Sequence, residues 1–156
     1  MNELRLIRKN NNITQENAAR MLNISRKTYQ KYESLDDSND YKLEFFIYKL
    51  KELTLIDEDH GILSIEKIKE VVNEVMKKYS INVCYLFGSY AKGYAREDSD
   101  IDLLIDSNVN GLDFYGLIEE LREKLHKRID LLTLNSLSNQ SPIISEVLKD
   151  GIKIYG

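Results

Sequence analysis

A chain of 156 residues makes one ordinary domain or two small ones, and its 42% hydrophobic content excludes a disordered protein. Its apolar runs fall far short of the roughly 20 residues that cross a bilayer, and the opening Met1-Asn2-Glu3-Leu4-Arg5 leads into an amphipathic helix rather than a signal peptide. The net charge of −4 conceals an asymmetry: residues 1–33 carry seven basic and three acidic side chains, a surplus of four positive, whereas residues 56–156 carry 12 basic and 18 acidic, a surplus of six negative.

That division suggests that only the head meets a polyanion. The single cysteine, Cys84, rules out an intrachain disulfide and, lying in an apolar run, reads as an inert buried thiol. A cytoplasmic protein with no membrane partner is expected.

In chain order, Leu4, Ile7 and Arg8 outline a first helix that ends at the polar turn Asn10-Asn11-Asn12. Thr14 is a good N-cap for a second helix, whose apolar face is Ala18, Ala19, Met21 and Leu22. Asn23 suits the left-handed residue of a tight turn, and Ser25 caps a third helix reaching about Glu33. Ser34–Asp40 reads as an acidic loop, and Leu43, Phe46, Ile47 and Leu50 give a fourth helix. Asp57–Gly61 reads as the domain boundary, giving expected domains at residues 1–56 and 60–156.

The second part reads helix, strand, strand, helix, strand, helix, strand. Ile65, Ile68, Val71, Val72, Val75 and Met76 mark the first helix, and Val83–Phe87 and Ile101–Ile105 the next two strands. Leu117, Ile118, Leu121 and Leu125 mark a helix, Ile129–Leu134 a strand, and Ser141-Pro142 to Gly151 a final helix, Pro at its first position and Gly after its last. Ile152–Tyr155 adds a short strand. The fold class is therefore an all-α bundle followed by an α/β (α+β) domain with a mixed sheet flanked by helices. His60 and His126 have no partner at metal-ligand spacing and read as surface residues.

The segment Gly88-Ser89-Tyr90-Ala91-Lys92-Gly93-Tyr94-Ala95-Arg96-Glu97-Asp98-Ser99-Asp100-Ile101-Asp102 carries the chemistry. Gly88 lets the backbone leave a strand sharply and approach a phosphate, and Ser89 offers a hydroxyl and an N–H at the start of a helical turn. Asp100 and Asp102, two apart on a strand, project their carboxylates from one face, which suits shared Mg²⁺ ions. Asp130, in a later strand, completes the set if it points the same way.

Gly-Ser, ten residues, Asp-x-Asp and a later strand Asp together form a pattern by which residues 60–156 resemble the minimal nucleotidyltransferases of the DNA polymerase beta superfamily. Lys92-Gly93 and Ser99 fit the same pattern. The resemblance implies nucleotide binding by Gly88 and Ser89, with Lys92 neutralising triphosphate, and Mg²⁺ binding and catalysis by Asp100, Asp102 and Asp130. ATP is the implied substrate. Larger relatives add a helical domain that grips the acceptor; here the expected acceptor surface comes from another protein. The resemblance to minimal nucleotidyltransferases of toxin–antitoxin pairs implies transfer of AMP to a tyrosine of a partner HEPN-type ribonuclease toxin. A small-molecule enzyme acting on an aminoglycoside-like acceptor, and a repressor with an inactive body, remain as alternatives.

Residues 14–33 resemble the helix-turn-helix of Cro and phage repressors, with Gln15 opening the second helix and Ile24-Ser25 preceding the third. The resemblance implies that Arg26, Lys27, Thr28 and Gln30 reach base edges or phosphates of operator DNA and that Gln15 reaches a phosphate, in a homodimer. Ala19, Met21, Leu22, Ile24 and Tyr29 read as core. The alternative is a helical bundle that only dimerises.

Overall fold

The computed structural model describes residues 2–36 and 39–156. Met1 of the expected N-terminal start, and Asp37 and Ser38 of the expected acidic loop, lie outside the described residues. The chain divides into two compact units, Met1–Leu55 and Ile56–Gly156.

The first unit contains α1 (Glu3–Asn10), α2 (Gln15–Met21), α3 (Arg26–Glu33) and α4 (Tyr41–Leu53). Each start is capped by a short polar side chain that accepts from an otherwise unpaired N–H: Asn2 from Arg5, Thr14 from Asn17, Ser25 from Thr28, and Asp40 from Lys42 and Leu43. Asn12 and Asn23 take left-handed turns at φ 55° and 56°. Leu4, Ala18, Ala19, Tyr29, Leu43 and Leu50 form the core. Met21, expected in it, is exposed; Leu22 at the helix end, one turn after Ala18, takes the inward place. Buried Glu33 is fully employed, accepting from Arg8 Nε and Gln15 Nε2, each at 2.5 Å.

The second unit runs α5 (Ile65–Met76), β1 (Ile81–Phe87), α6 (Gly88–Lys92), β2 (Ile101–Ser107), α7 (Gly111–Leu125), β3 (Ile129–Thr133), α8 (Pro142–Asp150) and β4 (Ile152–Tyr155), with a 3₁₀ turn over Leu134–Ser136. The sheet order is β3-β2-β1-β4; β1 is antiparallel to β2 and β4, and β2 is parallel to β3. The mixed sheet is the expected one, because a parallel pair needs a crossover and α7 supplies it.

Alternation along the strands divides the two faces. Cys84, Leu86, Ile101, Leu103, Ile105 and Leu131 belong to the main core with Val72 and Val75 of α5 and Leu117 and Leu121 of α7. Burial there pushes the Cys84 thiol well above its ordinary range. Tyr85, Phe87, Leu104 and Leu132 take the opposite face and meet Ile143 and Val147 of α8. Several elements differ from expectation: β1 begins at Ile81 rather than Val83, and β2 continues to Ser107 rather than Ile105. The helix α6, five residues long, is too short to carry a hydrophobic period, and Leu134 leaves β3 for the 3₁₀ turn. No helix among the described residues is long and apolar enough to cross a membrane.

Candidate active site

The site is built where β1 ends and β2 and β3 begin. Gly88, at φ +71°, turns the chain from β1 into α6 in a conformation that side chains strain to adopt. A Cβ at Gly88 would lie 2.9 Å from Asp102 Cγ and closer still to Oδ2, so the glycine backbone rests directly against that carboxylate. Ser89 and Lys92 follow on α6. The parallel register pairs Asp102 with Asp130 across β2 and β3, and by strand alternation both project on the α8 side of the sheet.

These carboxylates are electrostatically unequal. Burial first, then the charges of Asp130, Asp100 and Glu146, push the Asp102 carboxyl up to about 6. Asp100 stands one residue before β2 rather than on it, because the strand opens where Ile101 N–H donates to Arg128 O at 2.9 Å. Its Oδ1 accepts from Arg128 Nε at 2.9 Å. The three acids therefore share a neighbourhood without forming one cluster, and among the described residues no three His, Cys, Asp or Glu side chains make a ready cation cage. Lys92, expected to face triphosphate, is paired with Glu146 of α8 at 2.7 Å.

Glu146 and Arg128 also reach the site, though no motif in the sequence marks either. Glu146 reaches the site only through the packing of α8, for which no local motif exists. Arg128 was legible in principle: once Asp102 is set beside Asp130, the residue preceding β2 by one falls beside Arg128. The donor set suits magnesium. Mg²⁺ prefers hard oxygen ligands and usually takes one or two carboxylates, with waters and substrate phosphates completing an octahedron, so Asp102 and Asp130 beside a glycine turn fit it without a full protein cage.

Of the helix-turn-helix residues, Arg26 and Lys27 are exposed and make no ion pair among the described residues. Thr28 accepts from Ser25 Oγ at 2.8 Å, while Gln30 donates to Gln15 at 3.0 Å and Gln15 donates to Glu33. The two glutamines are thus tied to one another and to the buried acid.

The family model described as "Polymerase beta, Nucleotidyltransferase" matches residues 66–156, more than half of the chain and the whole of this site. The chain belongs to the polymerase beta nucleotidyltransferase family. A helix-turn-helix model matches residues 4–38 of this nucleotidyltransferase. It is 32% identical over 100 residues to the protein adenylyltransferase MntA of Thermococcus cleftensis, covering 60% of this chain and 99% of that one. It is 36% identical over 77 residues to a provisionally named protein adenylyltransferase of Methanocaldococcus jannaschii, covering 48% of this chain and 83% of the relative. A solved structure provisionally named a minimal nucleotidyltransferase matches at TM-score 0.51 and 29% identity, over 59% of this chain and 97% of that one. A toxin–antitoxin crystal structure with AMP-PNP shares the fold at TM-score 0.50 and 24% identity, over 56% of this chain and 73% of that one.

Proposed function

We propose that the second unit is a protein adenylyltransferase of antitoxin type, which moves AMP from ATP to a tyrosine of a HEPN-type ribonuclease toxin. The observation that carries this reading is the pairing of Asp102 with Asp130 across β2 and β3, with the Gly88 backbone seated on Asp102. The relative named a protein adenylyltransferase, matched over 99% of its length, supports the acceptor class.

Gly88 and Ser89 hold the triphosphate, and Lys92 offsets its charge after leaving Glu146. Asp100, Asp102 and Asp130 would hold Mg²⁺. Bound there, Mg²⁺ would neutralise charge at the reacting phosphate and on the leaving oxygen. The acceptor oxygen bonds to the α-phosphorus as the bond to the β-phosphate breaks. Pyrophosphate leaves with the electron pair, and the hydroxyl proton passes to the carboxylate group. In-line attack needs the hydroxyl about 3–3.5 Å from phosphorus, so a flexible partner segment must deliver it. Beside the carboxylates, on the same face of the sheet, lies an apolar hollow of about 330 Å³ lined by Tyr85, Leu104 and Val147. None of the three carboxylates lines it.

The test is co-expression with a HEPN-type ribonuclease and intact mass measurement of that partner. A gain of whole AMP units that disappears with Asp100→Asn supports the reading. A toxin neutralised equally by the inactive variant would mean inhibition by binding alone.

A pH dependence follows from Asp102. A carboxyl raised to about 6 must lose its proton before it can hold a cation. Affinity for Mn²⁺, measured by titration without nucleotide, should rise roughly tenfold per pH unit below about 6 and level off above 7. A flat profile from pH 5 to 8 would remove Asp102 from the cation site.

For the first unit we propose binding of a homodimer to an inverted repeat in its operator, Arg26 and Lys27 meeting the DNA. Affinity should fall by about 10³-fold or more between 50 and 200 mM salt if six or more phosphates are contacted. Lys27→Ala and Arg26→Ala should weaken binding while AMP transfer is unchanged. Equal affinity for upstream and random duplex, measured by anisotropy, would leave a dimerisation bundle instead.

A further inference from the structure

Arg128 stands at the meeting point of two groups of acids. Its Nε donates to Asp100 Oδ1 at 2.9 Å, one terminal nitrogen donates to the Asp98 carbonyl at 3.3 Å, and the other lies 3.5 Å from Glu58 Oε2. Glu58 is held from its other side by Arg122, at 2.9 and 2.6 Å. The guanidinium is thus aimed by a carbonyl and a second carboxylate, and its most direct bond goes to Asp100. On β2 and β3, meanwhile, Asp102 and Asp130 face one another directly. The consequence is a divided site: two carboxylates lie together, and the third is neutralised by a cation one residue ahead of the strand that carries Asp130.

A guanidinium suits a phosphate at least as well as a carboxylate, because its N–H groups form a planar fork. Its bonds to Asp100 and Glu58 lie on the surface, where about half of each side chain remains accessible on Arg128 and Asp100. Such bonds exchange at little cost when a stronger anion arrives. We propose that Arg128 is a positioning residue that withholds Asp100 from the carboxylate pair until the polyphosphate of a nucleotide takes over its guanidinium. This rests on the reading of Asp100, Asp102 and Asp130 as a cation site. Its effect is an order of events: the site completes its ligand set for divalent cation only when nucleotide is present, and bare cation binds weakly.

The experiment measures Mn²⁺ binding to the full chain, without nucleotide, from the electron paramagnetic resonance signal of the free ion. Arg128→Gln frees Asp100 and should bind Mn²⁺ about three- to tenfold more tightly than the unaltered protein. In an Asp100→Asn background the same substitution should bring no gain. Arg128→Lys keeps the charge, loses the directed Nε–H and should give a smaller gain of the same sign, which also covers the case of a poorly folding glutamine variant. Unchanged or weaker binding in both Arg128 variants overturns the proposal, as does an equal gain with and without Asp100, which would reveal only general charge removal. If Asp102→Asn leaves unchanged whatever Mn²⁺ the Arg128→Gln variant binds, the cation-site reading itself fails; if Asp102→Asn lowers Mn²⁺ binding while Arg128→Gln brings no gain, this proposal alone fails.

Discussion

Asp102→Asn is expected to abolish AMP transfer, by more than about 10³-fold, and to raise the melting temperature of the second unit. Both effects come from one feature, a half-buried carboxylate crowded by Asp130 and Asp100. The charge that suits a cation ligand is a liability to the fold. Its folded pKa of about 6 lies above the ordinary carboxylate value, with burial as the main cause. A group raised in this way stabilises the folded state while protonated. That contribution is complete below the unfolded pKa and is lost as the pH rises through about 6. At pH 7 the folded protein therefore bears the cost of an ionised Asp102, and a neutral asparagine of the same size does not. Allowing for partial solvent access, the gain is about 1–2 kcal/mol, or on the order of 4–8 °C per kcal/mol for a unit of this size. The gain should shrink as the pH falls from 7 to 5, where Asp102 takes up its own proton. Thermal melts of the two proteins at pH 5 and 7, in the presence of chelator, measure it. A stabilisation that is absent, or equal at both pH values, contradicts this account of the carboxylate.

Gly88→Ala is expected to cost the second unit both stability and AMP transfer, and Gly93→Ala is the informative contrast. Both glycines have left-handed backbones, at φ +71° and +85°. That conformation alone costs an alanine roughly 1–2 kcal/mol. At Gly93 a Cβ would meet nothing within 4 Å, so the backbone cost is the whole effect. At Gly88 the Cβ would drive into the Asp102 carboxylate, which is set between β1 and β3 and has Asp130 at its side. Relief requires displacing either the turn or the acid. We expect a loss of about 2–4 kcal/mol in stability and at least 10²-fold in transfer, since displacements near 1 Å already cost that much in an aligned site. Gly93→Ala should keep transfer within a few-fold. Chemical denaturation alongside an AMP-transfer assay separates them, and similar behaviour of the two variants would show that the contact with Asp102 is unimportant.

Local chemistry made much of the fold legible. Thr14 and Ser25 cap helices because each is followed by a helical run whose first N–H groups need an acceptor, and Asn23 and Gly88 take left-handed backbones where the pattern of periods breaks. The helices and strands of the second unit followed from hydrophobic period. What escaped the sequence depends on tertiary position. Met21 lies in an apolar stripe yet faces solvent, because a helix of seven residues fixes the inward direction only to within a residue. Asp100 lies in an Asp-x-Asp pair yet precedes its strand, since the first rung is set by a carbonyl of another segment, Arg128. The pairing of Lys92 with Glu146 joins helices 54 positions apart, a distance at which residue spacing carries no information.

Lys127 carries a consequence for how this surface breathes. Its side chain is wholly enclosed, and burial lowers its proton affinity, while its ammonium donates to the carbonyls of His60 at 3.1 Å and Glu97 at 2.5 Å. Gly61 N–H in turn donates to the Glu97 carboxylate at 3.1 Å. If either the segment around His60 or the loop ahead of Asp100 lifts away alone, the buried cation loses one of its two carbonyl partners. The two stretches are therefore expected to open as a single unit of local unfolding, so that a disturbance entering at residues 57–61 reaches the start of β2 in the same event.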